Sequence, residues 1–548
     1  MHEPAILPEP RLLVRAPGAT TLGPATTIAC SPGAEHVASL VRALLSPATG
    51  FPLADRPSRA PRASAGASDQ IADSHPLDAS GCDVVLELEP SLARLGPEGY
   101  RLVVDADAVR LAAAGVAGLR NAAQTLRQLL DPAIFRRAAV RGADWAIPHV
   151  VVEDSPRFPW RGAHLDVSRH FMPAHFLYRF VDLLALHKLN VLHLHLTDDQ
   201  GWRFPSAAYP RLTEVGSWRA ESMRGHAREG RFDGTPHGGS YSRAELVDLV
   251  AYAGERNVTV VPEIDLPGHT QAAIAAYPFL GNLADELGVW TRWGVSEHVL
   301  NVEDAALDFC RTLLGELLDV FPGRYVHVGG DECPKSEWRA SASVQRRIAA
   351  LGLAGEDALQ GWFTAELGAF LAGAGRSLVG WDEILEGGNL PAGATVMSWR
   401  GTSGGRTAAR AGFDVVMCPE APCYFDHYQS DDPREPLAIH GCNTLADVYA
   451  YEPVPADLES DAAGHVLGSQ LQLWTEYLPE PADVEYMAFP RAAALAEVTW
   501  SGPGRDLARF TDRLGSHLAR LDELGVNYRP LAGPQPWQEG GTGVRKRH

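Results

Sequence analysis

The chain has 548 residues, 45% of them hydrophobic, and its 48 Lys and Arg against 68 Asp and Glu give a formal charge of −20. That length and apolar content exclude a mainly disordered chain and a small staple-dependent module, and point to several domains around large cores. The acidic balance repels phosphate backbones and anionic bilayers, so neither nucleic acid nor a membrane is expected as a partner. No stretch reaches about 18 consecutive apolar residues, and the first residues lack the basic start and apolar run of a secretion signal. A cytoplasmic location is therefore expected, or a secreted one if a leader was trimmed. The seven cysteines, at 30, 82, 310, 333, 418, 423 and 442, form no C-x-x-C pair and read as reduced thiols.

In chain order, residues 54–82 are rich in Ala, Ser, Pro, Arg and Asp with no apolar period, and a surface loop or disordered insertion is expected there. Two runs of strand character follow, at 83–89 and 99–105, and then a helical stretch over 118–130. Residues 1–155 accordingly form a small α+β domain, ended by Pro156, Pro159 and a change of pattern near Trp160. From 156 to 548 short apolar runs alternate with helical periods. Strands are expected at 161–167, 190–196, 258–264, 325–329, 377–381, 395–399, 414–418 and 466–474. Between them lie helices such as the one opened by the capping box Ser242-Arg-Ala-Glu245 and carried by Leu246, Leu249, Val250 and Ala253. Eight strands alternating with helices specify an α/β fold, a (β/α)8 TIM barrel, with the helices after strands five to seven weakly marked. Leu507, Phe510, Leu514, Leu518, Leu521 and Leu524 share one helical face, which is expected to close the barrel wall.

Such a barrel carries its chemistry at the C-terminal strand ends, and unusual polar residues collect there. Strand one runs into Asp166-Val-Ser-Arg169-His170, strand two into Thr197-Asp198-Asp199-Gln-Gly-Trp202, and strand three into Glu263-Ile-Asp265-Leu-Pro-Gly-His269. Strand four ends in His327-Val-Gly-Gly-Asp331-Glu332, strand five in Trp381-Asp382-Glu383, and strand six in Trp399-Arg400. Tyr424-Phe-Asp426-His427 follows strand seven, and Trp474-Thr-Glu476 closes strand eight. Carboxylates that bind hydroxyls and aromatic faces that stack on ring C–H groups suit sugars, and a sugar-cleaving hydrolase is the function these residues favour.

With His327-Val-Gly-Gly-Asp331-Glu332 in view, the chain resembles glycoside hydrolase family 20, the β-N-acetylhexosaminidases. The likeness runs through the motifs just given and Pro156-Arg-Phe-Pro-Trp-Arg-Gly, about residues 156 to 530, while Glu98-Gly-Tyr100, Gly118-Leu and Gln124-Thr-Leu126 are similar to the family's accessory domain. The resemblance implies a retaining enzyme that removes terminal N-acetylglucosamine or N-acetylgalactosamine from oligosaccharides such as chitobiose, or from glycoconjugates, with no cofactor and no metal. The substrate's own acetamide would be the nucleophile, passing through an oxazolinium intermediate. Glu332 would be the general acid/base, its pKa raised by burial and by Asp331, while Asp331 stays ionised to orient the acetamide. Tyr424 would bind the acetamide carbonyl. Trp362, Trp381 and Trp474 would wall the pocket, Arg169 would grip the 3- and 4-hydroxyls, and Asp426 and Glu476 the 4- and 6-hydroxyls. Asp198 and His269 would support the acid/base.

Plainer readings stand beside these. Asp331-Glu332 could be a solvated turn, Arg169 a structural partner of Asp166, and Trp399 core filling. Cys333 reads as a passive thiol, and His193 and His195 could signal a metal. Two other classes are a metal-dependent barrel hydrolase and a non-catalytic carbohydrate-binding barrel, the intact Asp331-Glu332 pair weighing against the latter. The Gly-, Arg- and His-rich segment 219–239 is expected on the leaving-group side. The configuration at the sugar 4-hydroxyl, the natural substrate and the oligomeric state stay open.

Overall fold

The computed structural model describes residues 4–55, 84–283 and 286–539. Of the insertion expected at 54–82, Ala54 and Asp55 pair in parallel with Thr27–Cys30, and the rest lies outside the described residues. The chain divides into two compact units, Met1–Arg157 with Glu255–Asn257 and Trp500–Val526, and Phe158–Gly254 with Val258–Thr499 and Asn527–His548.

The first unit is built on a seven-stranded sheet in the order Leu12–Thr21, Ala146–Asp154, Tyr100–Val104, Val109–Ala113, Val84–Leu88, Thr27–Cys30, Ala54–Asp55. Alternation sets its inner face: Tyr100, Leu102 and Val104 are buried while Arg101 is exposed. The helices Glu35–Thr49 and Val116–Leu129 cover the sheet, and the Tyr100 hydroxyl donates to Asp154 Oδ2 at 2.9 Å. The helix Leu507–Glu523 belongs to this unit, which corrects the expectation that it closes the barrel wall. Its apolar face is real, with Phe510, Leu514 and Leu521 buried, but its partner is set by polar contacts that periodicity does not reveal. Buried Arg520 donates to the carbonyls of Ala5 and Gln128, and Arg513 to that of Ile6.

The second unit is a closed barrel of eight parallel strands in chain order: Trp160–Asp166, Val191–His195, Thr259–Glu263, Tyr325–His327, Ser377–Trp381, Thr395–Ser398, Asp414–Met417 and Val466–Leu471. The eighth pairs with the first and closes the ring. Every strand starts within one residue of its expected position. The fourth ends early because Gly329 and Gly330 take positive φ and leave the ladder. Trp160, Val191, Val261, Val379, Trp381, Met397 and Val416 cluster in the interior, as the packed core of such a barrel requires. The capping box forms as read, Ser242 Oγ accepting the Glu245 N–H at 3.1 Å and Glu245 accepting the Ser242 N–H at 2.8 Å. The weak helical signal late in the barrel has a structural counterpart. A single 3-10 turn, Asp382–Leu385, joins strands five and six, and the helices Ser403–Arg410, Leu445–Ala450 and Ser460–Ala463 are short. Among the described residues no helix is long and apolar enough to cross a membrane.

Candidate active site

The site is laid on a charged floor inside the barrel. Glu263, fully buried at the end of strand three, lies 2.6 Å from His195 Nδ1, 3.1 Å from His193 Nε2 and 2.8 Å from His327 Nδ1, and accepts Trp381 Nε1–H at 3.0 Å. Burial disfavours its charge, but His327, His195 and His193 outweigh that and hold the carboxyl well below the ordinary glutamate range. Four partners also explain why His193 and His195 alternate on one strand face. They serve a carboxylate.

From that floor a chain of alternating charge climbs to the pocket. His195 Nε2–H donates to Asp198 Oδ2 at 2.8 Å, His269 Nδ1–H donates to Asp198 Oδ1 at 3.1 Å, and His269 Nε2 faces Glu332 Oε2 at 3.6 Å and Asp331 Oδ2 at 3.7 Å. Burial works against charge on His269, yet Asp198, Asp199 and Glu332 raise it well above the histidine range, so the free site holds an imidazolium. His269 at φ +50° and Glu332 at φ +45° both sit in the left-handed region, which non-glycine residues enter rarely and at a cost, and which recurs at functional sites. Glycine is required just before them. A Cβ on Gly329 would fall 1.6 Å from Asp265 Oδ1, the atom that accepts the Gly330 N–H.

The pocket is lined by Arg169, Asp331, Glu332, Trp381, Trp399, Tyr424, Asp426, Trp474 and Glu476, with Glu420, His427, Ile439 and His440 on one wall. Arg169 is fixed from several sides. Asp166 accepts its backbone N–H at 3.1 Å and pairs with its guanidinium at 3.2 Å, Asp198 lies 2.7 Å away, and Gln200 accepts Nε–H at 2.9 Å. The structural pairing with Asp166 and the pocket position thus coexist. Trp474 packs 4.9 Å beneath the guanidinium and 5.9 Å from Trp381, and Tyr424 stacks on Trp399. Asp426 is pushed well up by burial and then by Glu476, while burial raises Glu476 against the pull of Arg169. The segment 219–239 reaches this rim through His226, whose Nε2 lies 3.1 Å from the Ile439 carbonyl, and Ala227, which donates to the Tyr477 hydroxyl at 3.0 Å.

Two expectations are corrected. Trp362 is not in the pocket: it sits mid-helix in Glu356–Gly373, which packs against strand five, and lies under the Arg347 guanidinium at 5.1 Å. The third aromatic of the site is Trp399, read from sequence as core filling. Its place at the C-terminal end of strand six, the same cue that marks Trp381, is the sequence signal that could have found it. The protonation order is also reversed in the free site. Burial pushes Asp331 up to about 6, with His269 opposing and Glu332 adding, whereas His269, its Nε2 3.6 Å from Glu332 Oε2, lowers Glu332. The two differ because His269 outweighs burial at Glu332, whose side chain is 41% exposed, but not at Asp331, whose side chain is 11% exposed.

Residues 158–503 match the model of the glycosyl hydrolase family 20 catalytic domain, and residues 3–155 match that family's domain 2. The chain belongs to glycosyl hydrolase family 20. Within the family it is 41% identical over 484 residues to a β-hexosaminidase of Porphyromonas gingivalis, a match covering 88% of this chain and 60% of that longer protein. The structure of the family 20 β-N-acetylhexosaminidase from Streptomyces coelicolor superposes with a TM-score of 0.79 at 31% identity, covering 97% of this chain and 98% of that one. A family 20 exo-β-N-acetylglucosaminidase from Vibrio harveyi, in complex with N-acetylglucosamine, gives 0.82 at 29% identity over 96% and 79%.

Proposed function

We propose that the chain is a retaining exo-β-N-acetylhexosaminidase that removes N-acetylglucosamine or N-acetylgalactosamine from the non-reducing ends of oligosaccharides or glycoconjugates, chitobiose among them. One observation carries this most directly: Asp331 and Glu332, adjacent at a strained strand end, share one pocket with His269 and Asp198 ranked behind them. The family, and relatives named as hexosaminidases, support the same reading.

The chemistry follows from what each group holds. Arg169, Asp426 and Glu476 grip the ring hydroxyls, and Trp381, Trp399 and Trp474 wall the sugar and its acetamide. Asp331 accepts the acetamide N–H and Tyr424 donates to its carbonyl oxygen, aiming that oxygen at the anomeric carbon. A sugar seated over Glu332 removes water from a carboxylate that faces an imidazolium, which favours moving the His269 proton onto Glu332. Glu332 then protonates the glycosidic oxygen as the C1–O bond breaks and the acetamide oxygen closes on C1, giving the oxazolinium. A water that loses its proton to Glu332 opens this ring at C1, retaining configuration.

Wild type and Glu332→Gln, assayed with a chelator present, test the reading. Turnover of diacetylchitobiose, whose sugar leaving group needs a proton, should persist under chelation and fall by about 10²- to 10⁴-fold in the variant. Release of nitrophenol from 4-nitrophenyl N-acetyl-β-glucosaminide should fall less. A folded wild type without turnover, or a variant equal to wild type on both substrates, would overturn it.

A further inference from the structure

Three side chains to which the proposed reaction gives no role converge on one pocket wall, in the segment after strand seven. His440 Nε2 lies 2.8 Å from Glu420 Oε1, His427 Nε2 lies 3.5 Å from the same oxygen, and the two imidazole centroids are 4.7 Å apart. One ligand atom from each residue falls within 4.8 Å of the other two. We propose that Glu420, His427 and His440 form an inhibitory binding site for zinc on the wall of the substrate pocket.

Two imidazole nitrogens and a carboxylate oxygen are a zinc set, and tetrahedral bonds of about 2.0–2.2 Å put ligand atoms roughly 3.3–3.5 Å apart. The Glu420–His440 and Glu420–His427 separations of 2.8 and 3.5 Å lie within about 0.5 Å of that spacing, and three ligands leave a fourth position open. The segment bearing these residues is also held in place. Asn443 Nδ2 donates to the carbonyls of Glu420 at 2.9 Å and Tyr424 at 2.8 Å and lies 3.5 Å from His427 Nδ1. Arg491, fully buried, donates to the carbonyls of Asn443 and His427. Gly441, at φ +62°, lets the segment bearing His440 close over His427, because a Cβ there would lie 2.4 Å from His427 Nδ1. The His427 ring and the Glu420 backbone are therefore bracketed, while His440 is 59% exposed and free to adjust. Electrostatics favour a cation as well: the Glu332 carboxylate lines the same pocket on a chain of charge −20.

Binding would replace the His440–Glu420 hydrogen bond by two metal bonds, with the ligating His440 nitrogen losing its proton to solvent or to the other ring nitrogen. A cation on this wall competes with sugar for the pocket, so it raises KM and leaves kcat unchanged. It is not required for the hydrolysis proposed above.

Calorimetric titration of the chelator-stripped full chain with zinc chloride, compared with His440→Ala and Glu420→Gln, tests the site without substrate. Its outcome is thus independent of the hydrolase reading. One zinc per chain in wild type, weakened at least about tenfold in each variant, is expected. In parallel assays, zinc should raise the wild-type KM, and His440→Ala should need at least about tenfold more metal for the same effect relative to its own zinc-free rate. No zinc binding by wild type, or unchanged affinity in both variants, would overturn the proposal.

Discussion

Asp331 shows how a single residue trades stability for function. Its folded pKa of about 6 stands above the ordinary 3.8, so over that interval the folded state binds more proton than the unfolded chain. Stability from this group is therefore full at low pH, falls as pH rises from about 4 to 6, and stays lost above, on the order of 2–3 kcal/mol. Asp331→Asn should melt at a higher temperature than wild type near neutral pH, with the gap closing near pH 4, while turnover falls because the amide bears no charge. An equal gap at both pH values would show that the carboxylate is not the source. The residue types at the site were legible because each stands at a strand end in a run that no core would choose. The protonation order was not, since it depends on Glu332 facing water and His269 together, which only the folded geometry fixes.

At the scale of the element, the turn after strand four is the part on which the site depends. Gly329 and Gly330 leave the ladder at positive φ, Gln360 donates to the Gly330 carbonyl at 2.6 Å, and the chain then sets Asp331 and Glu332 over the pocket. Gly329→Ala should destabilise the protein by about 1–3 kcal/mol through its left-handed φ alone, and by more if Asp265 is displaced. Denaturant unfolding and kcat measured together check this: both should fall, and a variant of wild-type stability and kcat would contradict the role given to the turn. All eight strands were readable, because short apolar runs bounded by polar ends leave little choice of register. Trp362 was misplaced because its surroundings are a helical stretch without a distinctive motif, which does not say which side of a barrel helix it occupies. The helix Leu507–Glu523 was misplaced because an apolar stripe names no partner, and Arg520 supplied one.

The whole molecule joins these scales. Arg169 comes from the end of strand one, Asp331 and Glu332 from strand four, Trp381 and Trp399 from strands five and six, Tyr424 and Asp426 from beyond strand seven, and Trp474 and Glu476 from strand eight. Asp198 and His269, from strands two and three, stand behind them, so closure of the ring is what assembles the site. That much followed from strand order and the rule that such barrels act at their C-terminal ends. The buried histidines around Glu263 were visible only as residues, since their shared partner comes from another strand. In the proposed reaction this assembly makes the substrate's own acetamide the nucleophile. The most direct test is kcat/KM for 4-nitrophenyl glycosides whose acetamide methyl carries none, one, two or three fluorines, each of which weakens the carbonyl oxygen as a nucleophile. A progressive fall is expected, at least about tenfold across the series. A rate indifferent to fluorination would contradict it and assign the nucleophile to the protein or to water.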